Sequence, residues 1–172
     1  MVWLPVLVHA CDTVPSAPVP EPPPVPEAPA AVDPEPVEPV DELIGLTGEE
    51  RAERLRDLGA AAYSADGAAR CEVCHGIDGQ GIRGAIPPLV GDRPWADDCV
   101  ALASIVLFGT HDTFVRDGFT YVGVMPPYGE RLDDRQVAAV ATYVNGRWGT
   151  GPACEPADVS VIRLQGPMSR VE

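Results

Sequence analysis

Apolar positions recur at helical spacing in three stretches of the chain. The first predicts a helix from about Glu49 to Ser64, with Leu55, Leu58, Ala62 and Tyr63 on or near one face. Thr47-Gly48-Glu49-Glu50 reads as its capping box, and Asp66-Gly67 as its stop. Gly59 costs about 1 kcal/mol relative to Ala in mid-helix, so it marks a close helix contact. The second stretch, Asp97 to Phe108, starts on Asp97 or Asp98 and ends at Gly109. The third runs from about Asp134 to Arg147, with Asp133 and Gln136 as a cap pair and Val137, Val140, Ala141 and Val144 on its apolar face. Between the last two lies a long loop, Thr110 to Gly129, holding Phe114, Phe119, Tyr121 and Met125. Loops of that length in compact domains are usually functional. Pro87-Pro88-Leu89-Val90-Gly91 reads as an irregular apolar turn, and the tail from Gly149 as a surface strap fraying from about Pro167.

The leading segment has a different composition. Met1 to Ala10 is apolar but too short for a bilayer span, which takes about twenty residues. Val8-His9-Ala10-Cys11 resembles a lipoprotein cleavage box in which Cys11 is acylated; a frayed apolar terminus with an incidental Cys is the alternative. From Thr13 to about Leu46 the chain is Pro-rich and acidic, with nothing to build a core, so it reads as a disordered tether of polyproline II character. Fully extended, it reaches on the order of 100 Å. The chain divides into 1–11 as an export-signal-like segment, 12–46 as linker, 47–150 as folded domain and 151–172 as tail.

Charge narrows the partners. The net charge of −14 splits unevenly. Residues 1–50 hold ten acidic residues and no Arg or Lys, hence −10; the rest sets sixteen acidic residues against all twelve Arg, hence −4. Phosphates attract Arg and Lys, so this balance argues against nucleic acid. It favours redox or other protein partners with a basic docking face, which speeds encounter.

Chemistry concentrates at Cys71-Glu72-Val73-Cys74-His75. Two cysteines three positions apart, followed at once by His, form the attachment signature of a c-type haem. Each thiol adds to one vinyl group on the same porphyrin edge, and the next residue is then placed to ligate iron. Zinc or a thiol–disulfide motif would also use Cys-x-x-Cys. Zinc needs a second ligand pair, and the sequence has no second Cys-x-x-Cys or His-x3–5-His. The adjacent His favours haem. Gly76-Ile77-Asp78-Gly79-Gln80-Gly81 resembles a nucleotide-binding glycine pattern only loosely, because no strand precedes it and no helix opens from it.

Haem iron in an electron carrier takes two axial ligands and leaves no free position. Of three Met residues, Met1 is terminal and Met168 lies in the tail; Met125 sits in the long loop with Pro126 directly after it. A Met filling a core gap is the competing reading. His111, in a polar context, reads as solvated.

Taken in order, these residues resemble the class I cytochrome c family, and in particular the small bacterial c-type domains. The resemblance covers about residues 50–148. It rests on Gly59 and Tyr63, then Cys71, Cys74 and His75, then Pro87-x-Leu89-x-Gly91, then Met125-Pro126-Pro127-Tyr128-Gly129, and finally Tyr143-Val144 and Trp148. It implies an all-α, cytochrome c-like fold of three or more helices around one covalently bound haem. It further implies that Gly59 and Tyr63 cross the last helix near Tyr143. By the same analogy the Pro87 carbonyl accepts from His75 Nδ1–H, and Met125 sulfur is the sixth ligand. Tyr121, Trp95 and Arg131 are implied neighbours of the haem propionates, with ordinary packing or exposure as the alternative.

With Cys71 and Cys74 assigned to haem and Cys11 to lipid, the remaining pair predicts a Cys99–Cys154 disulfide, against two buried free cysteines. Ser, His and Asp assemble no nucleophilic set. The expected protein is a single-haem electron carrier, exported to the periplasm and held on a membrane by acyl groups at Cys11. A cytochrome subunit of a membrane dehydrogenase or oxidase is the second reading, and a haem sensor or peroxidase-like site the third.

Overall fold

The structure, a computed structural model, describes residues 42–91, 98–111 and 113–167. Cys11, Trp95, Asp97 and nearly all of the 12–46 linker lie outside the described residues.

Helix α1 (Gly48–Tyr63) turns Leu55, Gly59, Ala62 and Tyr63 inward. Thr47 occupies its N-cap position with extended backbone, but its hydroxyl makes no cap hydrogen bond, so the expected capping box does not form. The core also begins earlier than Thr47. Leu43 is buried at 2 % exposure, and its carbonyl accepts from Arg51 Nη1 at 2.9 Å. Leu43 follows directly on the acidic Pro-rich run, where no helical period marks it as part of the core.

A short helix, α2 (Glu72–His75), carries the Cys-x-x-Cys-His segment from Glu72 onward, with Cys71 at its N-cap. Helix α3 (Cys99–Phe108) is capped by Asp98, whose carboxylate accepts from the Val100 amide at 2.9 Å. Helix α4 (Asp134–Trp148) opens on a complete capping box: Asp133 accepts from the Gln136 amide at 2.7 Å, and Gln136 Oε1 accepts from the Asp133 amide at 3.0 Å. Its buried positions, including Val137, Val140, Ala141 and Val144, lie between α1 and α3 and form the centre of the core.

Two expectations fail here. The chain is not all-helical, because Thr113–Arg116 (β1) and Phe119–Val122 (β2) pair antiparallel inside the stretch read as loop. Asp117 and Gly118, at φ 51 and 77, make the turn; Asp-Gly between strand-forming residues suits a tight hairpin. The tail is also not a strap. Pro156–Gln165 forms helix α5, with Val159 and Ile162 buried and the element packed on α3 and α4. Pro in the first turn and Gly166 just past the end are helix punctuation. Cys99 and Cys154 form a disulfide with a Cα–Cα distance of 5.4 Å, and Thr142 Oγ1 accepts from the Cys154 amide at 2.9 Å. Among the described residues, five helices and one small hairpin thus enclose a single core.

Candidate haem site

Helix α1 ends against α4 because Gly59 lets the two backbones meet, and this contact positions an aromatic trio. Tyr63 and Tyr143 have ring centroids 5.3 Å apart, Tyr63 and Trp148 5.5 Å, and Tyr143 and Trp148 5.8 Å. The Tyr63 hydroxyl donates to the Gly76 carbonyl at 2.7 Å, one residue beyond His75. Tyr63 therefore links the helix crossing directly to the Cys-x-x-Cys-His segment.

Cys71 stands at the N-cap of α2 and Cys74 on the helix; both thiols are free, the first half-buried and the second exposed. Burial pushes the Cys71 thiol up to about 11, with a smaller contribution from neighbouring Cys74, so it is held neutral. His75 lies on the same short helix. Its Nδ1 is 3.2 Å from the Pro87 carbonyl, which can only accept, so Nδ1 carries the proton and the Nε2 lone pair is left free. Burial pulls the His75 value down, and the bond to Pro87 opposes that. A neutral, oriented imidazole with a free Nε2 is a prepared iron ligand.

The segment bearing Pro87 is held from outside. Arg116 of β1 donates Nη1 to the Pro88 carbonyl at 2.8 Å and Nη2 to the Val90 carbonyl. Arg83 sits 4.8 Å over the Phe119 ring of β2. The hairpin is thus fastened to the turn that orients His75. Tyr121 is buried in this hairpin, stacked on Phe114 at 5.5 Å.

Met125 is anchored through its backbone. Its amide and carbonyl pair with Thr110 at 2.9 and 3.0 Å. Gly109 makes that possible: it sits at φ +71, and a Cβ there would lie 2.3 Å from the Met125 carbonyl oxygen. The Met125 side chain, half-buried, packs against the same core as Cys71, Tyr128 and Trp148. Tyr128, whose part sequence reading missed, has its phenol raised by burial and then by Cys71 and Cys74, while Arg131 and Arg70 oppose. The Met125 loop therefore comes within electrostatic reach of both thiols. Arg131 lies 5.2 Å over the Tyr128 ring, and His111 is exposed.

Two free thiols beside a prepared imidazole, with a Met-bearing loop sharing their core, make a donor set that fits a covalently attached haem. Apolar side chains left exposed around it, among them Val73, Ile77, Ile82 and Val124, fit the same conclusion.

Residues 56–144 match the family model described as cytochrome C oxidase, cbb3-type, subunit III. The chain is 36% identical over 101 residues to cytochrome c-552 of Thermus thermophilus, a match covering 53% of this chain and 66% of that protein. It is 36% identical over 95 residues to the cbb3-type cytochrome c oxidase subunit CcoP of Cereibacter sphaeroides, across 52% of this chain and 29% of that protein. It is 29% identical over 99 residues to the cytochrome c subunit of a quinone alcohol dehydrogenase from Gluconobacter oxydans, across 56% of this chain and 20% of that protein. The matches thus span less than two thirds of these relatives' own lengths. The chain belongs to the cbb3-type subunit III cytochrome family, and its domain is a mono-haem c-type cytochrome, an electron carrier rather than an enzyme, with covalently attached haem c as its cofactor.

Proposed function

We propose that Cys71 and Cys74 carry the thioether bonds of this haem, that His75 and Met125 are its axial ligands, and that the domain shuttles single electrons between exported redox proteins. The haem, when bound, supplies the one-electron couple of its iron. The protein's own residues do the rest. Pro87 fixes the His75 tautomer and orientation, while the Thr110 pairing holds the Met125 backbone in place. With His75 and Met125 as the residues that would hold the iron, a thioether donor would raise its potential and leave no position for other ligands. The observation that carries this reading is the His75–Pro87 contact beside two free thiols.

Exchange takes place at the motif's exposed edge, where Cys74 lies at the surface between Val73 and Ile77, both well exposed. The acidic chain meets a partner with a basic face. The linker ahead of Glu42 acts as a tether from a membrane-held, acylated Cys11, so that the domain reaches donor and acceptor in the periplasm. Membership of an oxidase or dehydrogenase complex is the second reading, favoured by relatives that are named as subunits of such enzymes. Recovery of a stoichiometric complex from solubilised membranes would decide for it.

Denaturing mass analysis of matured protein tests attachment: one haem mass per chain is expected, and bare polypeptide overturns the assignment of Cys71 and Cys74. Oxidised protein should show the weak far-red sulfur-to-iron band, and Met125→Ala should abolish it. Carbon monoxide binding by the unaltered reduced protein would instead favour an open, sensor-like or peroxidase-like site.

A further inference from the structure

We propose that Arg163, on the helix beyond the family-matched segment, is a positioning residue for the iron's second axial ligand; this rests on the reading of Met125 as that ligand. The loop carrying Met125 is secured on its near side by α3. Thr110 pairs with Met125, the Tyr128 amide donates to the Val106 carbonyl at 2.9 Å, and the Gly129 amide donates to the Leu107 carbonyl at 3.0 Å. Its far side is secured by one side chain. Arg163 donates Nη1 to the Gly129 carbonyl, Nη2 to the Leu132 carbonyl at 2.9 Å, and Nε to Asp134 Oδ1 at 2.7 Å. A planar guanidinium fork spans those three acceptors in a way an ammonium cannot. Gly129 is therefore gripped from both faces, by α3 through its amide and by α5 through its carbonyl. The space is tight: a Cβ at Gly129 would lie 2.8 Å from the Leu107 carbonyl oxygen and 3.4 Å from Arg163 Nη1.

Helix α5 is itself placed before Arg163 acts. The Cys99–Cys154 disulfide ties the segment ahead of it to the start of α3, and Arg51 Nε pairs with Glu155 at 2.8 Å. Val159 and Ile162 bury its inner face. The tail helix thus braces the strand of backbone between Met125 and α4. Without Arg163 the loop keeps its near-side bonds but gains freedom at Gly129, four residues from Met125, and the Met125 sulfur would be held less firmly as a ligand.

The test uses the holoprotein. Arg163→Gln should lose the far-red band on heating well below the temperature at which far-UV helical signal is lost. In its reduced form, the fraction that binds carbon monoxide should rise by about tenfold, as expected when charge-assisted hydrogen bonds are removed. Arg163→Lys, which keeps one charged donor, should restore part of the band. Leu164→Ala, on the exposed face, should retain it. If Arg163→Gln does not fold, Arg163→Lys against Leu164→Ala carries the same comparison. A band that persists in the Arg163 variants to the helix-unfolding temperature overturns the brace alone. Its absence from the unaltered protein overturns the Met125 reading and the brace with it.

Discussion

Gly59 lies so close to Ala139 that a Cβ on the glycine would come 2.0 Å from the Ala139 carbonyl oxygen and 2.6 Å from the Tyr143 Cβ. The obstacle is helix backbone, which cannot swing aside as a side-chain tip would. Gly59→Ala gains about 1 kcal/mol of helix propensity. It incurs about 3 kcal/mol of overpacking, at the upper end for a core that must separate. A net loss of about 2 kcal/mol is expected in chemical denaturation of the holoprotein, with the Tyr63–Tyr143 contact loosened. Equal stability would show that α1 shifts freely along α4.

Tyr63 extends that crossing to the motif through its 2.7 Å bond to the Gly76 carbonyl. Burial, followed by smaller effects from Cys71, Tyr143, Glu72 and Asp78, holds its phenol well above the ordinary value of 10.0. A group whose folded value is raised contributes stability that is complete below its unfolded value and is lost as pH rises beyond it. Stability should therefore be flat for this group up to about pH 10 and fall above it. Tyr63→Phe should cost about 1 kcal/mol at neutral pH for the lost hydrogen bond. It should also flatten the alkaline limb, read from melts between neutral and strongly alkaline pH. On the proposed attachment, conversion of Cys71 to a thioether would remove one of the smaller effects but leave burial, the largest, in place.

What could be read from residues alone was local. Cys71, Cys74 and His75 declare themselves by spacing, and Asp133 with Gln136 declares the start of α4, because both signals lie within five residues. Gly59 was legible as an anomaly, although its partner Ala139 was not. The hairpin is not legible from Phe114, Phe119 and Tyr121, which read equally as loop aromatics; Asp117-Gly118 at its tip is the local sign of it. Helix α5 was missed for another reason. Only Val159 and Ile162 of its ten residues are buried, too few to show a period, and it is held by a disulfide, ion pairs and packing on α3 and α4. Tyr128 stood in plain sight beside Met125, but its closeness to the thiols is a tertiary fact.

The Cys99–Cys154 bridge closes a loop of sequence separation 55, and so encloses α3, the hairpin, the Met125 loop and α4. Chain entropy assigns such a closure about 4 kcal/mol. Cys99→Ser with Cys154→Ser should lower the unfolding free energy by roughly that amount, together with the cost of placing a hydroxyl at the fully buried site at 154. Haem attachment at Cys71 and Cys74 should be retained, since neither takes part in the bridge. Unfolding midpoints in denaturant, with and without reductant, check this; a midpoint indifferent to reductant would mean the bridge adds nothing.

Arg116 links the hairpin to the turn that orients His75, the proposed iron ligand. Its two bonds to the Pro88 and Val90 carbonyls hold the turn whose Pro87 carbonyl faces His75 Nδ1. A bond from Nδ1–H to that carbonyl makes the imidazole a stronger donor, and a stronger donor favours the oxidised iron. Loosening the turn should weaken the bond, make His75 a poorer donor, and raise the reduction potential. Arg116→Gln is therefore expected to shift the potential upward while the far-red band of Met ligation persists, because the Thr110–Met125 pairing does not involve this side chain. Redox titration alongside the oxidised optical spectrum separates the outcomes. A lowered potential with a lost band would place the effect on Met125, and an unchanged potential would mean that Pro87 is held by its own ring and neighbours without help from the hairpin.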